Sequence, residues 1–537
     1  MAFTFTPPTT NPFYTSQDII NSVQRKISFP LSQNTFTALD VLSFANEEMF
    51  ISQVPSVIQF HSEYFVSYNT IPLLTNVSNY SIPSRAIGQK LRSVFWQDTS
   101  GNMFEMTQVA EEDRAFYQRN IGTNQAIHKF FIEGNSIVLT PGLISNPTGN
   151  LILVYYLRPN QLVKNDRAAV INNFFQTITL NNSLINPLDI VTLGVDANAA
   201  GPGVVNIPFT AVDTLGGTIS AIAFNSTTST LVTTSAPHQL SDFQTVVISG
   251  SDCNPSIDGN QIVTVLSPTT FTIPVEIATS GTTGTFTCLN QFQIAATGTL
   301  TAANLATSIN SLGLPDTAIA LSNVVTVSFP NIYTILGCPN TTGFIIPSTY
   351  STVNQVTNAT IGINFQSLPT TYTDQETNET SSLFTPGAMI DFLQTNPGHR
   401  TYKYDVIIPP NGISGTTITI PQSSLLIPSG TVNTIPNVGI QYMLSPLIPG
   451  DYICLANECI IPQIPPDLHN GLAERTSARI LAALGDQAGL QASNQKIAEI
   501  EQRQGNLMST RDDGNVQKVS GRHSLLHQGQ LGRFRRL

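Results

Sequence analysis

Apolar residues recur at helical spacing near the start of the sequence. From Ile19 to Ile27 they mark one face of a predicted helix, with Thr15 or Ser16 as its N-cap and the Phe29-Pro30 pair as its end. The helix is amphipathic, so it needs a partner surface.

A second amphipathic helix is predicted directly after the first. Thr37 stands at its N-cap, and Asp40, three residues on, completes a capping-box pattern. Pro55 is expected to end this helix.

The longest helical pattern lies in DLHNGLAERTSARILAALGDQAGLQASNQKIAEIEQRQGNLMS. It follows Pro465-Pro466, and Asp467 is the predicted N-cap. Gly485 and Gly489 interrupt the pattern, which predicts a bend or break near them.

Between these segments the pattern changes to short apolar or alternating runs. Residues 61–165 predict antiparallel strands, with hairpin turns at Asp98–Gly101 and at Gly134-Asn135. Residues 200–290 form a second β stretch rich in Thr and Ser, and a short helix is predicted at Ala302–Leu312.

Neither terminal helical group can bury its apolar face alone, so the simplest solution packs the two together. The sequence therefore predicts an α+β fold: a helical bundle from the N- and C-terminal segments, with a large antiparallel β-rich insertion and an extended C-terminal arm. The predicted parts are a helical bundle core (1–60 and 466–508), a β domain (61–199 and 386–465), an inserted β-rich module with a small α/β part (200–346), a surface excursion or linker (347–385) and a basic C-terminal arm (509–537).

Composition points to an assembly component. Only 11% of the 537 residues are charged, against roughly 25% in ordinary soluble domains. A surface so short of charge is typical of hydroxyl-rich β structures and of proteins that bury much of their surface against other subunits. With no basic or apolar leader at the start and no long apolar run, we expect neither a signal peptide nor a membrane span.

Charge is distributed unevenly along the chain. Residues 503–537 contain seven Lys or Arg and two Asp, a balance of +5, so the other 502 residues carry −16 of the total −11. A basic segment of this kind can hold duplex phosphates non-specifically, be a solvated tail, or add onto an acidic neighbouring subunit. Its many apolar residues favour the acidic neighbour.

The sequence offers little catalytic chemistry. Signatures of metallohydrolases, serine hydrolases and nucleotide-binding proteins are absent. The five cysteines lack CxxC spacing, and Cys454 and Cys459 alternate as in a buried strand. His61 and His469 are expected at solvated or capping positions. We expect no enzyme activity, no metal and no cofactor.

Five stretches in order resemble head-to-tail connector (adaptor) proteins of tailed bacteriophages. They are DIINSVQRKISFP…FTALDVLSFANEEM, NYSIPSRAIGQKLRSVFWQD, FFIEGNSIVLTP…LILVYYLRPNQLV, IPPDLHNGLAERTSARILAALGD and RDDGNVQKVSGRHSLL. The Thr-rich insert is similar to a β module of phage virion proteins through LVTTSAPHQLSDFQTVVISG and IDGNQIVTVLSPTTFTI. Within it, His238 is interpreted as a structural turn histidine.

The resemblance implies a virion protein at the head–tail junction, assembled in the host cytoplasm. It would form a homo-oligomeric ring of about twelve copies below the portal protein, dock the tail tube or nozzle protein, and line the DNA channel. The insert would be available to fibre proteins. An excess of acidic residues suits a channel wall that repels passing genomic DNA.

The resemblance also implies that the basic arm engages the portal. Ion pairs are expected from the arm's cations and desolvated contacts from its apolar side chains, with a turn at its glycine. The candidate partner-binding residues are Arg511, Gly514, Lys518, Arg522, Leu525, Leu526 and Phe534.

Two other functions stay open at the level of sequence. In a tail-fibre or receptor-binding protein, the Thr-rich insert would recognise a host surface and the subunits would form trimers. A glycan-degrading virion enzyme would need paired carboxylates that meet only in the folded chain.

Overall fold

The computed structural model describes most of the chain. The described residues are 14–27, 36–61, 63–74, 77–113, 129–140, 149–196, 204–313, 316–329, 335–337, 343–345, 350–351, 355–356, 360–374, 378–395, 401–421, 424–425 and 447–508. Their six α-helices are α1 (Ser16–Lys26), α2 (Ala38–Glu48), α3 (Val54–Phe60), α4 (Gly298–Ser311), α5 (His469–Leu484) and α6 (Gln487–Met508).

The described residues divide into two compact units. The first combines those of Met1–Leu162 with those of Pro462–Leu537, and the second is Val163–Ile461. The first unit thus takes its chain from both ends of the sequence. The predicted division into five smaller parts stays a prediction.

The predicted caps of the first two helices are confirmed. The Thr15 hydroxyl accepts the Asp18 N–H while the Asp18 carboxylate accepts the Thr15 N–H, and Thr37 and Asp40 repeat this exchange. Each box satisfies N–H groups that the first helical turn leaves without partners.

Two predicted helix boundaries are wrong. Pro55 does not end a helix: α2 continues through a π-helical turn, Met49–Gln53, into α3, and Pro55 lies in the first turn of α3, where its missing N–H is tolerated. Asp467 is not the N-cap of α5, because Leu468 holds that position. The predicted break after α5 is confirmed, since Gly485 adopts φ +75° as the C-cap.

Two sheets of the first unit share one hydrophobic core. Their orders are β1-β8-β3-β4 and β2-β7-β6-β5, and Tyr80, Ile137, Leu151 and Tyr155 meet in the common core. The predicted turns at Asp98–Gly101 and Gly134-Asn135 are confirmed as the β3–β4 and β6–β7 hairpins. The strands of this unit are β1 (Val66–Pro72), β2 (Asn79–Ser81), β3 (Ala86–Gln97), β4 (Met103–Glu105), β5 (Thr107–Gln108), β6 (Lys129–Glu133), β7 (Ser136–Thr140), β8 (Asn150–Leu157) and β9 (Gln161–Leu162).

The second unit is built from larger sheets. Its strands are β10 (Ala169–Leu180), β11 (Ile190–Asp196), β12 (Val204–Val212), β13 (Gly217–Ser226), β14 (Ser229–Thr234), β15 (Thr245–Ser249), β16 (Gly259–Ile262), β17 (Thr264–Ser267), β18 (Thr270–Ile273), β19 (Thr285–Cys288), β20 (Gln291–Gln293), β21 (Thr317–Leu321), β22 (Val324–Phe329), β23 (Ile335–Gly337), β24 (Phe344–Ile345), β25 (Tyr350–Ser351), β26 (Gln355–Val356), β27 (Thr360–Phe365), β28 (Thr371–Thr373), β29 (Thr380–Ser382), β30 (Met389–Leu393), β31 (Thr401–Ile407), β32 (Ile413–Ser414), β33 (Thr417–Pro421), β34 (Tyr452–Leu455) and β35 (Glu458–Cys459).

A ten-stranded sheet centred on β10 dominates this unit. The 12-residue β10 pairs with β22, β24, β27 and β34, so four segments distant in sequence meet on one strand. A four-stranded sheet, β20-β12-β11-β23, and helix α4 contribute to the same core, in which Phe174, Phe209, Phe292, Leu305 and Ile363 are buried.

Residues 217–288 form a module with a core of its own. Its seven strands follow the order β16-β15-β19-β13-β14-β18-β17 around Ile222, Val232, Phe271 and Phe286. The two end strands, β16 and β17, are consecutive in the chain and separated only by Val263. The continuous segment 259–267 therefore pairs with β15 through its first part and with β18 through its second, which joins the two ends of the sheet into a small barrel.

The predicted fold class is wrong. The protein is mostly β: strands account for 42% of the structure and helices for 25%, which does not fit a fold organised around a helical bundle. Its hydrophobic cores lie within and between sheets. Helices α1, α2 and α5 do pack on one another in the first unit, but they accompany the sheets of that unit and are not the centre of the protein.

Candidate docking surfaces

The predicted partner-binding residues cannot be placed. Arg511, Gly514, Lys518, Arg522, Leu525, Leu526 and Phe534 all lie outside the described residues, which end at 508. The structure does describe α6, the helix that leads to them.

An ion pair joins α1 to α5. The Lys26 ammonium contacts the carboxylate of Glu474, which also accepts a hydrogen bond from the Ser493 hydroxyl at 3.0 Å. Burial alone raises the pKa of Glu474, but the hydrogen bond and charge of Lys26 more than offset it, so the pKa lies below its ordinary value. The two helical segments are thus bound through a buried carboxylate.

A second buried carboxylate joins α2 to α5. Glu48 accepts hydrogen bonds from Arg479, from Arg475 at 3.4 Å and from the Ser52 hydroxyl at 2.9 Å. Arg475 also pairs with Glu501 of α6. This network joins α2, α5 and α6, and loss of either arginine leaves the buried Glu48 carboxylate without one of its cationic partners.

Buried polar groups continue this framework. The Asn46 side chain donates to the Leu162 carbonyl at 3.0 Å and accepts the Leu162 N–H at 2.7 Å. His469, expected at a solvated or capping position, is instead 1% exposed, and its Nε2 lies 3.2 Å from the Pro462 carbonyl and 3.1 Å from the Ile464 carbonyl. Burial lowers the pKa of His469 and keeps it neutral.

Among the described residues, the most exposed large aromatic side chain lies in the barrel module. Phe243 is 82% exposed, although it lies in a loop with defined hydrogen bonds. Its backbone adopts φ +66°, a left-handed conformation that non-glycine residues rarely take. Such a conformation costs about 1–3 kcal/mol and persists only when the surroundings enforce it, often at binding sites.

The surroundings of Phe243 do enforce its position. Its N–H donates to the Val263 carbonyl at 2.9 Å, and Val263 donates back to Gln244 at 3.0 Å. The Asp242 carboxylate accepts the Val265 N–H at 2.6 Å. These bonds tie both sides of Phe243 to the strand segment that closes the barrel.

His238 secures the other end of the loop. Its Nδ1 accepts the Leu240 N–H at 3.0 Å, so Nε2 carries the proton that is donated to the Ser267 carbonyl at 2.9 Å. The ring also packs edge-on against Phe271 in the barrel core. Burial lowers the pKa of His238, which favours this neutral form. The interpretation of His238 as a structural turn histidine is confirmed.

Two further apolar side chains are exposed on the strand segment to which the Phe243 backbone is hydrogen-bonded. Ile262 is 54% exposed and Leu266 is 59% exposed. Side chains alternate between the two faces of this segment, so Ile262 and Leu266 are exposed on one face and Val263 is buried on the other. We refer to Phe243, Ile262 and Leu266 together as the barrel patch.

The chain around the barrel patch lacks cations. Residues 168–399 contain no Lys or Arg but twelve Asp or Glu, a net charge of −12. Of the three described cations in the second unit, Lys164 pairs with Asp374 at 3.1 Å and Arg167 with Glu458 at 2.6 Å. Lys403 is half-buried, and burial lowers its pKa.

The described residues contain no arrangement suited to metal chemistry. No group of three His, Cys, Asp or Glu side chains in that part of the chain could hold a metal ion. Cys454 and Cys459 are buried in a strand environment, as predicted, and burial raises the pKa of both thiols. None of the described helices has the length and apolar content needed to cross a membrane.

Comparison with known proteins adds no assignment. No family model matches the chain, and no curated protein matches it.

Proposed function

We propose that the protein is a structural virion component that forms a ring at the head–tail junction of a tailed bacteriophage, joining the portal to the tail and lining the DNA channel. The observation that carries this proposal is the separation of charge. A 232-residue stretch of the second unit has no Lys or Arg, whereas cations concentrate in the segment after α6.

Separated charge suits this role because the two parts meet different partners. DNA phosphates are repelled by an acidic wall, so a duplex can slide past it without being held. Lys164 and Arg167 are paired with carboxylates, so their charges are less available to bind DNA phosphates. The basic segment is left to contact an acidic protein, and the resemblance to connectors makes the portal that protein.

The helical part of the first unit supports a mechanical role. Buried Glu48 and Glu474 lock the N-terminal helices to α5, directly before the helix that leads to the arm. Force applied to the arm is therefore borne by several helices that are joined by ion pairs, and not by α6 alone.

Deletion of residues 509–537 tests the proposal. Purified full-length and truncated chains are mixed with the portal and imaged by negative-stain electron microscopy. We expect rings of full-length protein on portals, and a truncated chain with unchanged Trp96 fluorescence that fails to dock. Trimers without rings would favour the tail-fibre alternative, and normal docking of the truncated chain would refute the role of the arm.

A further inference from the structure

The barrel patch combines three features of a docking surface. Phe243 is 82% exposed on a backbone of positive φ that is hydrogen-bonded to Val263, and Ile262 and Leu266 are exposed on the segment that contains Val263. Rigid aromatic side chains are preferred anchors of protein interfaces, because little conformational entropy is lost when they bind.

The charge around the patch selects the chemistry of the partner. Asp242 precedes Phe243 and is exposed, and Asp213 binds the side chain of Gln239 in the same loop. No Lys or Arg occurs between residues 168 and 399. A complementary partner is apolar, carries Lys or Arg, and lacks carboxylates.

This chain contains a segment with that composition. Residues 525–537, LLHQGQLGRFRRL, include Arg533, Arg535 and Arg536 and no Asp or Glu. Leu525, Leu526, Leu531 and Phe534 supply apolar side chains. Direct pairing of two barrel patches is disfavoured, because it brings the Asp242 carboxylates of both copies together.

We propose that the barrel patch of one copy binds residues 525–537 of a second copy. Residues 509–524, which separate this segment from α6, can span up to about 55 Å when extended. Arg511, Gly514, Lys518 and Arg522 stay with the proposed portal contact. Leu525, Leu526 and Phe534, which the resemblance to connectors gives to the portal, are assigned here to the neighbouring subunit instead. The inference concerns contacts between copies and does not depend on the portal.

The test uses a labelled synthetic peptide of residues 525–537, whose binding to the full-length chain is followed by fluorescence anisotropy at 50 mM and 500 mM salt. Three proteins are compared: the unaltered chain, Phe243→Gly, and Leu321→Ala. Leu321 is a matched control because it is 80% exposed in the same unit but lies on β21, outside the barrel. Phe243→Gly also relieves the positive φ, so its melting temperature should not fall.

We expect Phe243→Gly to weaken peptide binding at least tenfold, Leu321→Ala to leave it unchanged, and high salt to weaken binding by the unaltered chain. In sedimentation velocity, Phe243→Gly should also reduce self-association of the full-length chain. Equal binding by Phe243→Gly and the unaltered chain overturns the proposal, and so does equal weakening by Leu321→Ala. Portal docking is measured separately, so failure here is distinguishable from failure of the proposed function.

Discussion

Replacing Glu48 by Gln should destabilise the first unit through loss of one buried charge. Its side chain contacts Arg479 and Arg475 and is 8% exposed, whereas the side chains of these two arginines are 35% and 23% exposed. Breaking a fully buried pair costs about 3–5 kcal/mol. Because water still reaches both arginines and Gln keeps one acceptor oxygen, we expect a loss of about 1–2 kcal/mol.

Glu47→Gln provides a matched control on the same helix. Glu47 also pairs with Arg479, at 2.6 Å, but its side chain is 49% exposed, so its removal should cost less than about 0.5 kcal/mol. Trp96, the single Trp of the chain, lies in the first unit and reports its unfolding in urea by fluorescence. Equal stability of the Glu48→Gln and Glu47→Gln proteins would refute the buried network.

The same pair of variants makes a prediction about pH. Burial raises the pKa of Glu48, but the hydrogen bonds of Arg479 and Ser52 and the nearby guanidinium charges more than offset it, so the pKa is lowered from 4.5. The stabilisation is therefore present above pH 4.5 and lost as pH falls through the lower pKa of the folded state. The difference between Glu48→Gln and the unaltered chain should shrink over that range, and a constant difference would contradict the assignment.

Further predictions concern the second unit and the frame of the first. Asp316 is 2% exposed, neither of its carboxylate oxygens has a hydrogen-bond partner among the described residues, and burial raises its pKa to about 6. Asp316→Asn should therefore stabilise this unit by roughly 2–3 kcal/mol above pH 6. The gain should decrease as the pH falls towards 3.8, the ordinary pKa of the group in the unfolded chain, and calorimetry can measure it. His238→Ala should speed hydrogen exchange at the Leu240 amide at least tenfold, whereas unchanged exchange would show that the ring does not hold the loop. Asn46→Ala leaves the buried N–H and carbonyl of Leu162 without their side-chain partner, and should lower the free energy of unfolding by about 2–3 kcal/mol when unfolding is followed by Trp96 fluorescence. No measurable change would show that water replaces the amide.

Local features of this fold could be predicted from the sequence. The Thr15 and Thr37 caps and the Asp98–Gly101 hairpin depend on residues within a few positions of one another. The end of α5 at Gly485 is equally local, because glycine alone adopts its positive φ without strain.

The balance between helix and sheet was not predictable in the same way. Long amphipathic helices give a strong periodic signal, whereas β24 and β32 have two residues each and give none. The pairing of β10 with four distant strands and the closure of the barrel at Val263 depend on contacts far apart in sequence. The sequence therefore overstated the importance of its helices.

The barrel patch also had no usable signal in the sequence. Phenylalanine ordinarily argues against a left-handed conformation, so nothing at Phe243 indicates a constrained loop. His469 was misplaced for a similar reason, because its burial depends on the carbonyl groups of Pro462 and Ile464, which only the folded chain brings to its ring.

Cryo-electron microscopy of particles that carry this protein tests its proposed function most directly. A closed ring of about a dozen copies is predicted between portal and tail, with residues 168–399, which contain no Lys or Arg, facing the DNA path. Copies found as trimers on fibres, or a channel lined by Lys and Arg, would contradict the account.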